Sequence, residues 1–76
     1  MGARLPRITA VQLLRALRRD GWQQVRQSGS HATFRHPVKL GSVTVPRHAG
    51  VIIKPKTLET ILEQAELTAD DLRQLL

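Results

Sequence analysis

The spacing of apolar residues changes twice along the chain, and the order of those changes most narrows what it can fold into. Ala10, Leu13, Leu14 and Leu17 recur at i, i+3, i+4 and i+7, one face of a helix. After residue 31 the spacing drops to two: Ala32 and Phe34, then Val43 and Val45, alternate with polar neighbours. That alternation marks half-buried strands. At Leu58, Ile61, Leu62 and Ala65 the helical spacing returns.

Local punctuation agrees with these periods. Thr9, with Gln12 three residues on, has the form of a capping box, and Ile8 and Leu13 stand at the staple positions. Gly21 stands where a helix ends. Together they predict a helix over 10–20. Residues 28–30 and 38–41 read as turns, and Pro37 and Pro46 stop the segments before them. Strands are expected over 22–27, 31–36 and 42–45. The first alternates poorly, because Trp22 and Val25 are an odd number apart. Trp22 is therefore assigned to the helix–strand junction. Residues 47–54 read as a loop. Pro55 suits the first turn of a helix over 56–65. Thr68 caps a last short helix, with Asp70 and Asp71 favourable in its first turn and Leu67 and Leu72 as its staple.

The order is helix, three strands, helix, short helix. The economical packing is α+β: a three-stranded antiparallel sheet with helices on one face. With 76 residues there is room for one core, so a single domain over 1–76 is expected. The absence of cysteine excludes disulfides, a thiolate nucleophile and a Cys-based zinc site. The longest uninterrupted aliphatic run is Val51, Ile52 and Ile53, far short of a membrane span. Residues 1–9 carry Arg4, Pro6 and Arg7 without an apolar stretch, so no signal peptide is expected and a cytoplasmic location is.

Charge is unevenly distributed. Residues 1–58 hold eleven Lys/Arg against the single Asp20, a net +10. Residues 59–76 hold Arg73 against Glu59, Glu63, Glu66, Asp70 and Asp71, a net −4. The basic part suits a polyanion, and nucleic acid is the commonest in a cytoplasm. If the helices cover the Phe34 face, the other face shows His31, Thr33, Arg35, Ser42 and Thr44, flanked by Arg26, Lys39 and Arg47. Both aromatics, Trp22 and Phe34, read as internal, so no base-stacking platform is expected.

The inventory for chemistry is short. His31, His36 and His48 are the candidates for proton transfer near neutral pH. His31 and His36 are an odd number apart on one strand and no carboxylate lies near either in sequence. A metal site is therefore not expected. The acidic residues lie at helical surface spacing and read as a solvated face.

Three blocks of residues, in order, resemble a known family. The first is Gly21, Trp22, Arg26, Gln27, Gly29, Ser30 and His31, continuing into Phe34, Arg35, His36 and Pro37. The second is Val45, Pro46 and His48; the third is Thr57, Leu58, Ile61, Leu62 and Ala65. Over roughly 8–75 the chain resembles HicA-type toxins, also called the YcfA-like family. Lys56 stands before Thr57 where the family usually has Gly.

The resemblance implies a fold like the double-stranded RNA-binding domain, α-β-β-β-α with a short C-terminal helix. It implies a toxin of a type II toxin–antitoxin system that cleaves mRNA as an endoribonuclease (an mRNA interferase) and is neutralised by a HicB-type antitoxin. The family's key histidine falls on His31. RNA carries its own nucleophile, the 2′-hydroxyl, so no metal and no small-molecule cofactor is expected. His31 is then the general base or acid, contributing roughly 10²- to 10⁴-fold, and His48 is a second candidate. Gly29 and Ser30 would shape the turn that aims His31, and Arg35 would meet phosphate charge. Arg26, Lys39, Arg47 and Lys54 are expected on the RNA backbone. A non-catalytic RNA-binding module of the same fold and a small ribosome-associated protein stay open as alternatives.

Overall fold

Capping residues fix where the helices begin. In the computed structural model, which describes residues 5–47 and 50–76, the Gln12 amide donates to Thr9 Oγ1 and the Thr9 amide to Gln12 Oε1, at 3.3 and 2.9 Å. This capping box opens α1 (Ala10–Asp20). Gly21, at φ 107°, closes it, and the Trp22 amide reaches back to the Leu17 carbonyl at 2.9 Å. Three strands follow: β1 (Gln23–Ser28), β2 (His31–Arg35) and β3 (Ser42–Pro46). Helices α2 (Pro55–Ala65) and α3 (Ala69–Leu75) complete the chain. A second capping box starts α3. Its Thr68 amide donates to Asp71 Oδ2 at 2.9 Å and the Asp71 amide donates to Thr68 Oγ1 at 3.0 Å. The Thr68 backbone amide first, and its side chain next, hold the Asp71 carboxyl below the usual carboxylate range.

The sheet is antiparallel in the order β1-β2-β3. Ala32 faces Val45 and Phe34 faces Val43 across the β2–β3 pair, and all four are fully buried. Leu13 and Leu17 of α1, Leu58 and Ile61 of α2, and Leu72 of α3 cover this face, with Trp22 buried at the junction. Helices thus occupy one side, and His31, Arg35, Ser42 and Thr44 are exposed on the other. This is the α+β arrangement that the periods and the resemblance both imply.

Several boundaries differ from expectation for identifiable reasons. β2 stops at Arg35 because His36 turns inward to bond the Asp20 carbonyl. β1 is shifted one residue, to Gln23–Ser28, because Trp22 belongs to the core. Residues 52–53 do not form a simple loop: Ile52 bridges to Thr9, and the Ile53 amide donates to the Ile8 carbonyl at 2.9 Å.

The register of β1 contains a bulge. Gln23 and Gln24 face Arg35 and Phe34, whereas Arg26, Gln27 and Ser28 face Thr33, Ala32 and His31. Val25 is the extra residue. A regular pairing would set Val25 against Thr33 and Arg26 against Ala32, on the helix side. The bulge absorbs Val25 and turns Arg26 to the open face.

Candidate functional site

The tightest local constraint on the site is the two-residue turn between β1 and β2. Ser28 pairs with His31, leaving Gly29 and Ser30 as the loop. Gly29 has φ 58° while Ser30 does not enter the left-handed region. Glycine first, then a residue of ordinary φ, fits a II′ hairpin turn, whose twist matches the strands. The turn makes His31 the first residue of β2, exposed on the open face.

Cross-strand register says what surrounds it. Ser28 stands opposite His31 on one side and Pro46 on the other. Arg26 is the diagonal neighbour on β1, roughly 7–8 Å away between backbones and within reach of a long side chain. Arg35 is four residues along the same strand, about 13 Å from His31. Arg26 therefore stands closer to His31 than Arg35 does, and it is diagonal to both. The face carries a stripe of His31, Arg26 and Arg35 with hydroxyls of Ser28, Thr33, Ser42 and Thr44 between them. No residue of the three strands is acidic.

Other expected site residues fall elsewhere. Arg47 does not flank this face. Val45 points to the core, and Arg47, two residues on, points to the same side by alternation. Its amide continues the ladder to the Ser30 carbonyl, and its Nη1 donates to Gln27 Oε1 at 2.8 Å. Gly29, Ser30 and Arg47 instead line an open cleft of about 330 Å³ between the hairpin end and Ala10, Val11 and Leu14 of α1. The cleft exists because β1 overhangs the helical layer and no helix covers its inner side, where Gln24 and Gln27 are exposed. Lys54 lies at the N-cap of α2, beside a second cleft of about 280 Å³ lined by Pro46, Ile52 and Thr57. His48 lies outside the described residues.

Lys39 is not on the open face either. Its Nζ donates to Asp20 Oδ2 at 2.8 Å and to the Ala65 carbonyl at 3.0 Å. It belongs to a clasp at the opposite end of β2 from His31. There Trp22 Nε1 donates to the same Asp20 oxygen at 3.1 Å. His36 Nδ1 accepts from the Val38 and Lys39 amides at 3.0 and 3.1 Å, so its proton sits on Nε2 and is donated to the Asp20 carbonyl at 2.7 Å. The His36 ring meets Trp22 edge-on, centroids 5.1 Å apart. This histidine has both nitrogens engaged in holding loop to helix. Among the described residues, His31 is the one histidine open to a ligand.

Sequence reasoning placed Gln27 only inside a motif and gave it no role, and it missed that Arg26 is the open-face cation nearest His31 in the register. The signal for the latter was present: Val25 out of phase with Trp22 is the mark of the bulge.

No curated protein matches the chain. A protein-family model, described as the HicA toxin of bacterial toxin–antitoxin, matches residues 11–67, well over half of its length.

Proposed function

The chain belongs to the HicA toxin family and is the toxin of a toxin–antitoxin pair, and from that premise we propose that it is a metal-independent endoribonuclease acting on mRNA. The observation that supports this most is His31 at the exit of a two-residue turn, exposed on a face whose nearest cation is Arg26.

In the proposed reaction the 2′-oxygen of RNA attacks the adjacent phosphorus, and the P–O5′ bond breaks. One proton leaves the 2′-hydroxyl and one reaches the 5′-oxygen. His31 performs one of these transfers. His48, the remaining histidine of the sequence without an assigned role, is the candidate for the other. Arg26 lies against the charge that builds on the phosphorane, where a positioned cation acts most strongly. Arg35, about 13 Å along the strand, holds the chain at a neighbouring phosphate. Lys54 is a further backbone contact beyond the sheet. The natural inhibitor is a HicB-type antitoxin with an acidic surface, acting in the cytoplasm.

The test is incubation of purified protein with labelled single-stranded RNA in EDTA, beside His31→Ala. The parent should cleave with undiminished rate in EDTA. The variant should lose roughly 10²- to 10⁴-fold in rate and melt at the parent temperature, because His31 packs against nothing in the core. Cleavage at the parent rate by the variant would remove His31 from the mechanism. RNA binding without cleavage by the parent would leave a binding module of the same fold.

A further inference from the structure

We propose that the cleft on the helix side of the Gly29–Ser30 turn is a base-recognition subsite that takes a guanine from single-stranded RNA. The proposal rests on the RNA-directed reading above and adds to it what the chain selects.

The cleft has the make-up of a small-ligand site, an apolar wall with a few fixed polar groups. Its volume of about 330 Å³ falls at the lower end of the ~300–1,000 Å³ usual for such sites. Val11 and Leu14 supply the apolar side, Val11 43 % exposed at the edge of the helix's buried face. Gln27, Ser30 and Arg47 supply the polar side. A base whose faces lie along aliphatic side chains and whose edge meets the polar side fits this division.

Hydrogen bonding narrows the choice of base. Gln27 is already engaged at both ends of its amide: Oε1 accepts from Arg47 Nη1 at 2.8 Å, and Nε2 donates to the Gly29 carbonyl at 3.4 Å. It holds the guanidinium in place more than it reads a ligand. Among the described residues, Arg47 has no side-chain partner besides Gln27, and all its remaining hydrogens are donors. The edge it meets must present acceptors side by side. Guanine does so with O6 and N7, the commonest bidentate match for arginine; cytosine offers O2 and N3, but its single ring covers less of the aliphatic wall than the two rings of guanine. Adenine puts an amino donor in place of O6, against a group that can only donate.

Location ties the cleft to the reacting face. Gly29 and Ser30 form the rim of the cleft, and His31 follows them on the other side of the sheet. An RNA strand crossing this hairpin end lays a phosphate on the His31 side and turns a base into the cleft. Single-stranded RNA is the form whose bases are free to splay in this way. The net +10 of residues 1–58 favours such an anionic strand over a neutral ligand.

The experiment uses the whole chain carrying His31→Ala, titrated with two single-stranded RNA hexamers, one of uridines alone and one with a single central guanosine. The methyl signals of Val11 and Leu14 and the side-chain amide of Gln27 are followed by NMR. The guanosine hexamer should shift all three, and the uridine hexamer should leave these three unmoved while shifting signals of backbone-contact residues such as Arg26 and Arg35. Arg47→Lys, which keeps the charge and loses the planar fork, should weaken the guanosine hexamer about tenfold and leave the uridine hexamer within twofold. Equal weakening of both RNAs, or shifts confined to the open face, would overturn the subsite while leaving RNA binding intact. Shifts of the cleft signals by a partner protein, with silence toward RNA, would assign the cleft to protein contact and overturn it too. Failure to bind either RNA would overturn the RNA-directed reading, and the subsite with it.

Discussion

A single methyl group tells apart the two glycines that flank β1. Both hold positive φ, 107° at Gly21 and 58° at Gly29, which costs an L-residue roughly 1–2 kcal/mol. At Gly29 an added Cβ meets open space, so the backbone is the whole penalty. At Gly21 it would stand 2.7 Å from His36 Nε2, the atom that donates to the Asp20 carbonyl. Gly21→Ala must therefore also displace the ring that holds the loop after β2 to α1. Leaving the Asp20 carbonyl without its partner adds about 1–3 kcal/mol. Urea unfolding should rank Gly21→Ala clearly below Gly29→Ala in stability. In a His36→Ala background the extra cost of Gly21→Ala should vanish, leaving the backbone penalty alone. Equal costs in both backgrounds would show that the two residues do not work as one unit. The same comparison explains what the sequence disclosed at this scale. His31 was legible because the turn that aims it lies in the two residues before it. The clasp was not, because Asp20 and His36 are sixteen positions apart and nothing local pairs them. Lys39 was misplaced for the same reason: a lone lysine in a basic segment reads as solvated until Asp20 and the end of α2 are folded against it.

At the scale of elements, the helices were legible to within a residue because capping boxes, Gly21 and Pro55 are local signals that the fold had no reason to override. β1 was the weakest reading, and its structure says why. All six of its residues are exposed, so no buried face imposes a period of two on it. What fixes its register is the turn at one end and Trp22 at the other, with Val25 left over between them. Deleting Val25 offers a clean test. The remaining residues can then pair without interruption, Gln24 with Phe34 and Arg26 with Thr33, in the partnership they already have. The deletion should preserve the cross-strand Hα contacts between Arg26 and Thr33 and, for the proposed activity, hold RNA cleavage within a few-fold of the parent. A shift of Arg26 to the partnership with Ala32, seen in the same NMR contacts, would mean that the turn does not set the register.

On the whole-molecule scale, the arrangement of charge matters more than its total of +6. The sheet holds Arg26, Arg35 and His31 and no acidic residue, while Glu59, Glu63, Glu66, Asp70 and Asp71 all lie on α2, α3 and their junction. A toxin must be silenced in the cell that makes it, and under the proposed mechanism the most direct means is to cover His31. An antitoxin with an acidic surface is drawn to the basic surfaces, the open face and the exposed Arg15, Arg18 and Arg19 of α1, and turned away from the acidic run of α2 and α3, so the field narrows its approach before contact. Arg47 takes no part in this steering as an open-face residue, because its side chain lies on the helix side against Gln27. The prediction follows from where these charges stand. Reversing Arg26 and Arg35 to Glu should slow association with the antitoxin at least tenfold at low salt. Dissociation should quicken too, through Arg26, which a partner seated over His31 buries, and far less through Arg35. Because neither arginine is part of the core, the variant should melt near the parent temperature. Raising ionic strength should erase most of the difference, as screening shortens the reach of both proteins' fields. Stopped-flow mixing across a salt series measures all of this. An association rate untouched by the reversal, or a loss confined to dissociation, would place the antitoxin somewhere other than over His31.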